Sequence, residues 1–190
     1  MQNLIGIISY LPNETELREE RQGLLANLIN KCKQVFPKIP IVIIAQNWGD
    51  LAFQDCTIFY CNKLGIDGAR TALKNYFLIS EYDNLIMFDD DCILTFTEQD
   101  GKRYLQEIEE HKGKAGYFTG GQLKLFSIPK CLYEKAEPFV ELNDECVIWK
   151  AVKDNYFYFD SKRYNQKKSD IINFKTKSTY DVGLRIKQGV

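Results

Sequence analysis

Three consecutive carboxylates, Asp89, Asp90 and Asp91, follow the apolar run from Leu85 to Phe88 and precede Cys92-Ile93-Leu94. Side chains alternate along a strand, so a strand running into this triplet puts Asp89 and Asp91 on one face and Asp90 on the other. Neighbouring carboxylates repel, and partial burial strips their hydration, so the pattern demands a positive partner. Oxygen-only ligands at a strand end suit Mg2+ or Mn2+, ions that retain waters and bind substrate phosphates. A solvated acidic turn is the alternative reading.

The elements that must carry this triplet are legible from hydrophobic periodicity. Leu4 to Tyr10 reads as a buried strand, and Pro12-Asn13 turns the chain into a helix in which Asn13 and Glu16 form a capping box. Leu17, Leu24, Leu25, Leu28, Cys32, Val35 and Phe36 recur at helical spacing until Pro37. Ile39 to Ala45 is a second apolar strand and Thr57 to Cys61 a third; Gly65 to Ile79 is a helix, and Asn84 to Asp89 the fourth strand. Beyond the triplet, the pattern gives a helix over 98–111, strands over 115–126 broken at Gly120-Gly121, a helix over 142–153 and a strand over 156–159. This order predicts an α/β fold, a mainly parallel sheet flanked by helices. Ligands of such sheets collect beyond the carboxyl ends of the strands, so Ser9-Tyr10, Gln46-Asn47-Trp48 and the Asp triplet should share one crevice.

Composition narrows the class further. A chain of 190 residues, 45% hydrophobic and 27% charged, fits one compact domain with its own core. Met1-Gln2-Asn3 has no basic region before the short apolar run, and no segment approaches membrane-spanning length. The six cysteines are scattered without CxxC spacing, which reads as reduced thiols in a cytoplasmic protein. The net charge of −1 hides an asymmetry: from Ser161 onward, eight Lys and Arg face only Asp170 and Asp181. A basic tail over 161–190 on an acidic body suits a polyanion, such as an anionic membrane surface or nucleic acid, or serves only solubility.

Two stretches carry a family resemblance. Gly65-Ile-Asp-Gly-Ala-Arg-Thr-Ala-Leu-Lys-Asn75, followed by Leu85 to Leu94 with its Asp triplet, resembles the nucleotide-sugar-binding half of GT-A glycosyltransferases, with their Gly-x-x-x-Ala-Arg helix start and DxD motif. The likeness covers roughly residues 3–94 well and the rest weakly. It implies a GT-A, Rossmann-like domain over 1–160, with a nucleotide-sugar half to residue 94 and an acceptor half to residue 160.

It also implies a metal-dependent transfer of sugar from a nucleoside-diphosphate sugar, with Mn2+ or Mg2+ as cofactor. Asp91 would ligate the ion directly, Asp89 would reach the ribose or a water of the ion, and Asp90 would touch the donor sugar or face solvent. Arg70 would lie near the diphosphate or the triplet, while Asp67 would contact the donor or cap its helix. Ser9 and Tyr10 would form the nucleotide-base edge, and Gly120-Gly121 would let backbone approach the sugar. Within Glu141-Leu-Asn-Asp144-Glu145, Asp144 is the first choice of catalytic base in an inverting transfer and Glu145 the second; an acidic N-terminal cap is their alternative. Many relatives add a metal-binding histidine near the C-terminus. Here the sole histidine, His111, ends a surface helix, so either Asp160 takes that place or the metal is held more loosely.

The acceptor that the resemblance implies is a saccharide or lipid-linked saccharide, with hydroxylated DNA bases as the alternative. A catalytically inactive nucleotide-sugar or polyanion-binding module of the same fold is a third reading. Phosphatases of the haloacid-dehalogenase type carry Asp-x-Asp on their first strand, which this chain does not. Nucleotidyltransferases carry a Gly-rich basic loop after their first strand, and Ser9 to Glu16 is neither Gly-rich nor basic.

Overall fold

The computed structural model describes residues 1–49, 51, 53–62, 64–118, 125–136 and 144–164. Strands β1 (Asn3–Tyr10), β2 (Ile41–Gln46), β3 (Cys56–Cys61), β4 (Asn84–Asp89), β5 (Ala115–Phe118), β6 (Leu125–Pro129) and β7 (Tyr156–Phe159) form one sheet in the order β3-β2-β1-β4-β6-β5-β7. Helices α1 (Thr15–Val35) and α3 (Glu98–Glu110) cover one face, while α2 (Gly65–Ile79) and α5 (Asp144–Val152) cover the other. The expected α/β sandwich is the observed one.

Alternation along the strands divides the core. Ile5, Ile7, Ile43, Ile86 and Phe88 point to α1 and α3, meeting Leu25, Leu28, Cys32, Tyr104 and Ile108. Leu4, Ile8, Val42, Ile44, Leu85 and Met87 point to α2 and α5, meeting Ala69, Leu73, Phe77, Ile148 and Val152. With both faces covered, the central strands read as continuous apolar runs. Gly6 lets α2 lie close on β1, since a Cβ there would come within 2.9 Å of Leu73 Cδ2.

Strands β3, β2, β1 and β4 are parallel, and β6 is antiparallel to both β4 and β5. Because β7 is parallel to β5, the carboxyl ends of every strand except β6 lie along one edge. The short helix α4 (Lys130–Tyr133) after β6 was not expected; four residues are too few for a periodicity signal. The expected Asn13 cap is not formed. Glu14 precedes α1 without a side-chain capping bond, and Asn13 Oδ1 instead accepts from Asn47 Nδ2 at 2.9 Å.

The turn Ser161–Arg163 and Tyr164, counted with the basic tail by charge, belong to the folded body. Tyr164 is 7% exposed and stacks on Phe96 at 5.2 Å, while Arg163 Nη1 lies 3.0 Å from Glu107 Oε1. His111 stacks on Phe157 with centroids 4.2 Å apart, a packing role. The five described cysteines are free, and no described helix is long and apolar enough to cross a membrane.

Candidate functional site

The site is built where β4 ends. Asp89 is the last residue of that strand, and alternation turns its side chain toward α2, as for Leu85 and Met87. Arg70, 1% exposed, rises from α2 to meet it: Nη2 donates to Asp89 Oδ1 at 3.0 Å, and Nη1 lies 3.7 Å from Met87 Sδ. The helix is fixed at this edge from β2, because Gln46 Oε1 accepts the Leu64 N–H at 2.8 Å. Gly65 enters the helix with φ +72°, a left-handed conformation that glycine adopts without strain. Asp67 sits in the first turn, where a carboxylate is favoured by the helix dipole. Leu64, not Asp67, is the capping residue.

Alternation stops at Asp89. The Cys92 N–H donates to the Asp89 carbonyl at 3.0 Å, closing a turn. That turn overrides the expected pairing of Asp89 with Asp91 on one face: Asp90 and Asp91 both approach Arg21 of α1. Arg21 Nη1 lies 2.5 Å from Asp90 Oδ1 and 3.9 Å from Asp91 Oδ2. Ser9 Oγ donates to Asp90 Oδ2 at 2.6 Å and accepts from Trp48 Nε1 at 3.1 Å.

Asp90 is therefore neither solvent-facing nor open toward a sugar; it is 6% exposed and held by groups from β1 and α1. Burial pushes its carboxyl above the ordinary range. Arg21 opposes that push most strongly, Asp91 adds to it, and hydrogen bonds from Ser9 and the Tyr10 backbone oppose it.

The positive partners demanded by three adjacent carboxylates are thus two guanidiniums from opposite faces of the sheet. Sequence reasoning found Arg70 and missed Arg21. The signal was present: Arg21 stands four residues after Leu17 and four before Leu25, inside the buried stripe of α1, where a cation needs a buried acid.

The remaining expected residues divide. Ser9 and Tyr10 are at the carboxyl edge but 2% and 8% exposed, and the Ser9 hydroxyl is taken by Asp90. Asn47, with φ 57°, ties the loops after β1 and β2 by donating to the Leu11 carbonyl at 2.8 Å. On α5, Trp149 stacks on Tyr117 at 4.4 Å and belongs to the packing of that helix on the sheet, outside the residues named above.

Asp160 is not gathered with the others. The register row that contains Met87 runs through Phe126 and Tyr117 to Tyr158, so Asp160 is level with Asp89 but three strands away. At about 4.8 Å per strand that is roughly 14 Å, too far for one ion to bridge. Its Oδ1 instead accepts the Lys162 N–H at 3.1 Å. Strand order in space differs from chain order, and β6 and β5 intervene.

No cluster of three or more His, Cys, Asp or Glu fit to hold a metal occurs among the described residues. Mg2+ and Mn2+ are commonly held by one or two carboxylates together with waters and substrate phosphates, and Asp89, its side chain 29% exposed at the strand end, suits that donor set, whereas Asp91 is 5% exposed on the Arg21 side of the turn. Gly120 and Gly121 lie outside the described residues, as do the side chains of Asp144 and Glu145. The backbone of Asp144 opens α5, and three residues link the end of that helix to β7. The helix therefore runs antiparallel to β7, with its first turn toward the carboxyl edge on the Asp89 face. A cavity of about 560 Å³ lined by Lys135, Val147, Lys150, Ala151, Lys153 and Asn155 lies at the opposite edge, away from the carboxylates.

No family model and no curated protein matches the chain. Solved structures do. A cytidylyltransferase from Leptospira borgpetersenii is 14% identical with TM-score 0.59, covering 100% of this chain and 95% of its own. The bifunctional IspDF from Campylobacter jejuni is 10% identical with TM-score 0.62, covering 95% of this chain and 53% of its own. A mannosyltransferase from Pyrobaculum calidifontis, in complex with GDP-mannose and Mn2+, is 13% identical with TM-score 0.57, covering 83% and 54%. At these identities the likeness is one of fold: a mixed α/β sheet flanked by helices, shared by nucleotidyltransferases and sugar transferases.

Proposed function

We propose that the chain is a divalent-cation-assisted glycosyltransferase that moves a sugar from a nucleoside-diphosphate sugar to an acceptor hydroxyl. The observation that carries this reading is the half-buried Asp89, braced by Arg70 at the carboxyl edge of β4, with Asp91 in the turn beside it. Departure of the nucleoside diphosphate develops negative charge on its β-phosphate. A divalent ion held by Asp91 and Asp89 would supply the charge stabilisation there. Arg70 fixes the Asp89 carboxylate and adds a positive charge behind it.

An inverting transfer needs a base for the acceptor proton, and Asp144 is assigned that role, with Glu145 second. In that step the acceptor oxygen bonds to the anomeric carbon as the bond to the diphosphate breaks, and Asp144 takes the hydroxyl proton. The direction of α5 supports the assignment, since its first turn lies at the same edge and on the same face as Asp89. The acceptor assigned is a saccharide or lipid-linked saccharide, with hydroxylated DNA bases as the alternative. The likeness to a mannosyltransferase with GDP-mannose and Mn2+ supports donor and cofactor together.

A nucleotidyltransferase is the second reading, favoured by the cytidylyltransferase likeness over the whole chain. The missing basic Gly-rich loop before α1 argues against it. One assay separates the two. Incubation with UDP-, GDP-, CDP- and TDP-sugars and Mn2+ should release nucleoside diphosphate, whereas pyrophosphate release from a nucleoside triphosphate and a sugar phosphate would establish the second reading.

A further inference from the structure

We propose that β3 is a dimerisation edge, pairing antiparallel with β3 of a second copy of this chain and joining two sheets into one about a two-fold axis at Phe59. This surface is remote from the Asp triplet, and the inference does not depend on the transfer reaction.

The sheet order begins with β3, and among the described residues no backbone hydrogen bond reaches its outer side. Folded proteins ordinarily blunt such an edge with Lys, Pro, a bulge or a very short strand. Cys56-Thr-Ile-Phe-Tyr-Cys61 contains no charge, Pro or Gly, and it pairs with β2 residue for residue along its whole length, without a bulge. Its large side chains are open too: Phe59 is 42% and Tyr60 49% exposed. Both are nonetheless held in place. Phe59 packs on Tyr76 of α2 with centroids 5.0 Å apart, and the Tyr60 hydroxyl donates to the Leu51 carbonyl at 2.8 Å and accepts the Leu51 N–H at 2.9 Å. An edge that is already ordered loses little freedom on association.

The occupant follows from the symmetry of the edge. The Asn47 N–H donates to the Cys61 carbonyl at 3.0 Å, so Cys61, Phe59 and Thr57 direct their backbone groups at β2, while Ile58 and Tyr60 direct theirs outward. An antiparallel copy must set outward residues opposite outward residues. Placing Phe59 opposite the partner's Phe59 does this, because Ile58 then meets the partner's Tyr60 and Tyr60 meets the partner's Ile58. Phe59 forms a pair without ladder bonds, the kind in which side chains come closest and aromatic contacts stabilise a sheet. Charge agrees with this register. Asp55 immediately precedes the strand and Lys63 stands two residues beyond it in the sequence, so antiparallel copies bring opposite charges level at both ends. The two carboxyl edges then face opposite directions. Each Asp89 remains three strands from the junction, roughly 14 Å, so both crevices stay open.

Sedimentation equilibrium of the intact chain should show a concentration-dependent dimer. Because Phe59 faces its own copy, Phe59→Lys and Phe59→Glu each set like charges opposite one another and remove an aromatic pair, which should weaken self-association by about tenfold or more. An equimolar mixture of the two variants should dimerise again, since opposite charges then meet at the axis. In the wild-type protein, hydrogen exchange at the Ile58 and Tyr60 amides should slow as concentration rises, a readout that decides the matter even where the variants do not fold. A wild-type monomer at every concentration, a dimer indifferent to both variants, or folded variants that stay monomeric when mixed would overturn the proposal. Equal protection of the Ile58 and Tyr60 amides at all concentrations would also overturn it, because the edge would then be covered by a segment of the chain itself.

Discussion

Arg21 and Asp90 meet at 2.5 Å with side chains 5% and 9% exposed, joining α1 to the turn after β4. An ion pair at this depth is strong only while both members are present. Arg21→Met leaves Asp90 buried against Asp91 without its cation and should destabilise the fold by about 3–5 kcal/mol. Urea denaturation would read this as a lower midpoint with an unchanged slope. A loss below about 1 kcal/mol, typical of exposed pairs, would mean that water reaches the pair.

On the other face, Arg70 bridges Asp89 and Met87 with separate nitrogens of one planar group. A lysine keeps the charge but not the fork, so Arg70→Lys should lower nucleoside-diphosphate affinity in Mn2+ by about tenfold while the fold persists. Calorimetry would decide it, with circular dichroism as the check on folding. Asp91→Asn is expected to abolish the Mn2+-dependent part of that binding; unchanged affinity would remove Asp91 from the site.

How far the sequence reached is clearest at α2 and β4. Gly65–Ile79 and Asn84–Asp89 have the expected bounds because Gly65 has a left-handed φ and the apolar run ends at a charge. The triplet's faces were misjudged because alternation holds only while the chain stays extended, and a hydrogen bond from Cys92 to Asp89 ends it. Asp160 was joined to the site by position in the chain, but β6 returns antiparallel and carries β5 and β7 away from β4. Arg21 was legible as a charge in an apolar stripe; what the sequence could not supply was its partner, 69 residues away.

Gly101 tests the packing of α1 against α3. Alanine is favoured over glycine inside a helix by about 1 kcal/mol, so propensity alone predicts a gain. A Cβ at this position would lie 2.5 Å from the Val35 carbonyl oxygen and from Val35 Cγ1. Backbone cannot step aside as a side-chain end can, so overpacking of about 1–3 kcal/mol should win. Gly101→Ala is therefore expected to lower the melting temperature; a rise would mean that the two helices separate freely.

Trp48 offers a direct view of the site, since its indole donates to Ser9, which donates to Asp90. With Trp149→Phe, Trp48 becomes the sole tryptophan. Addition of Mn2+ and nucleoside diphosphate should then change its emission. A silent Trp48, in a protein shown by calorimetry to bind, would place the ligand away from this network.

The basic tail also takes a sharper test from the fold. Arg163 pairs with Glu107 and Tyr164 is buried on Phe96, so replacing residues near this junction would disturb α3 along with any polyanion contact. Lys167, Lys168, Lys175 and Lys177 lie beyond it in the sequence. Their replacement by alanine should leave the melting temperature unchanged while removing salt-sensitive binding to anionic liposomes, because each lysine near an anionic surface contributes about 1 kcal/mol. Binding across a salt series separates the candidates. Loss of liposome binding alone supports a lipid-linked acceptor, while loss of DNA binding alone, with the steep salt dependence of counterion release, would move the acceptor to hydroxylated DNA bases. If the intact protein binds neither polyanion, the lysines serve solubility and the acceptor must be sought at the carboxyl edge itself.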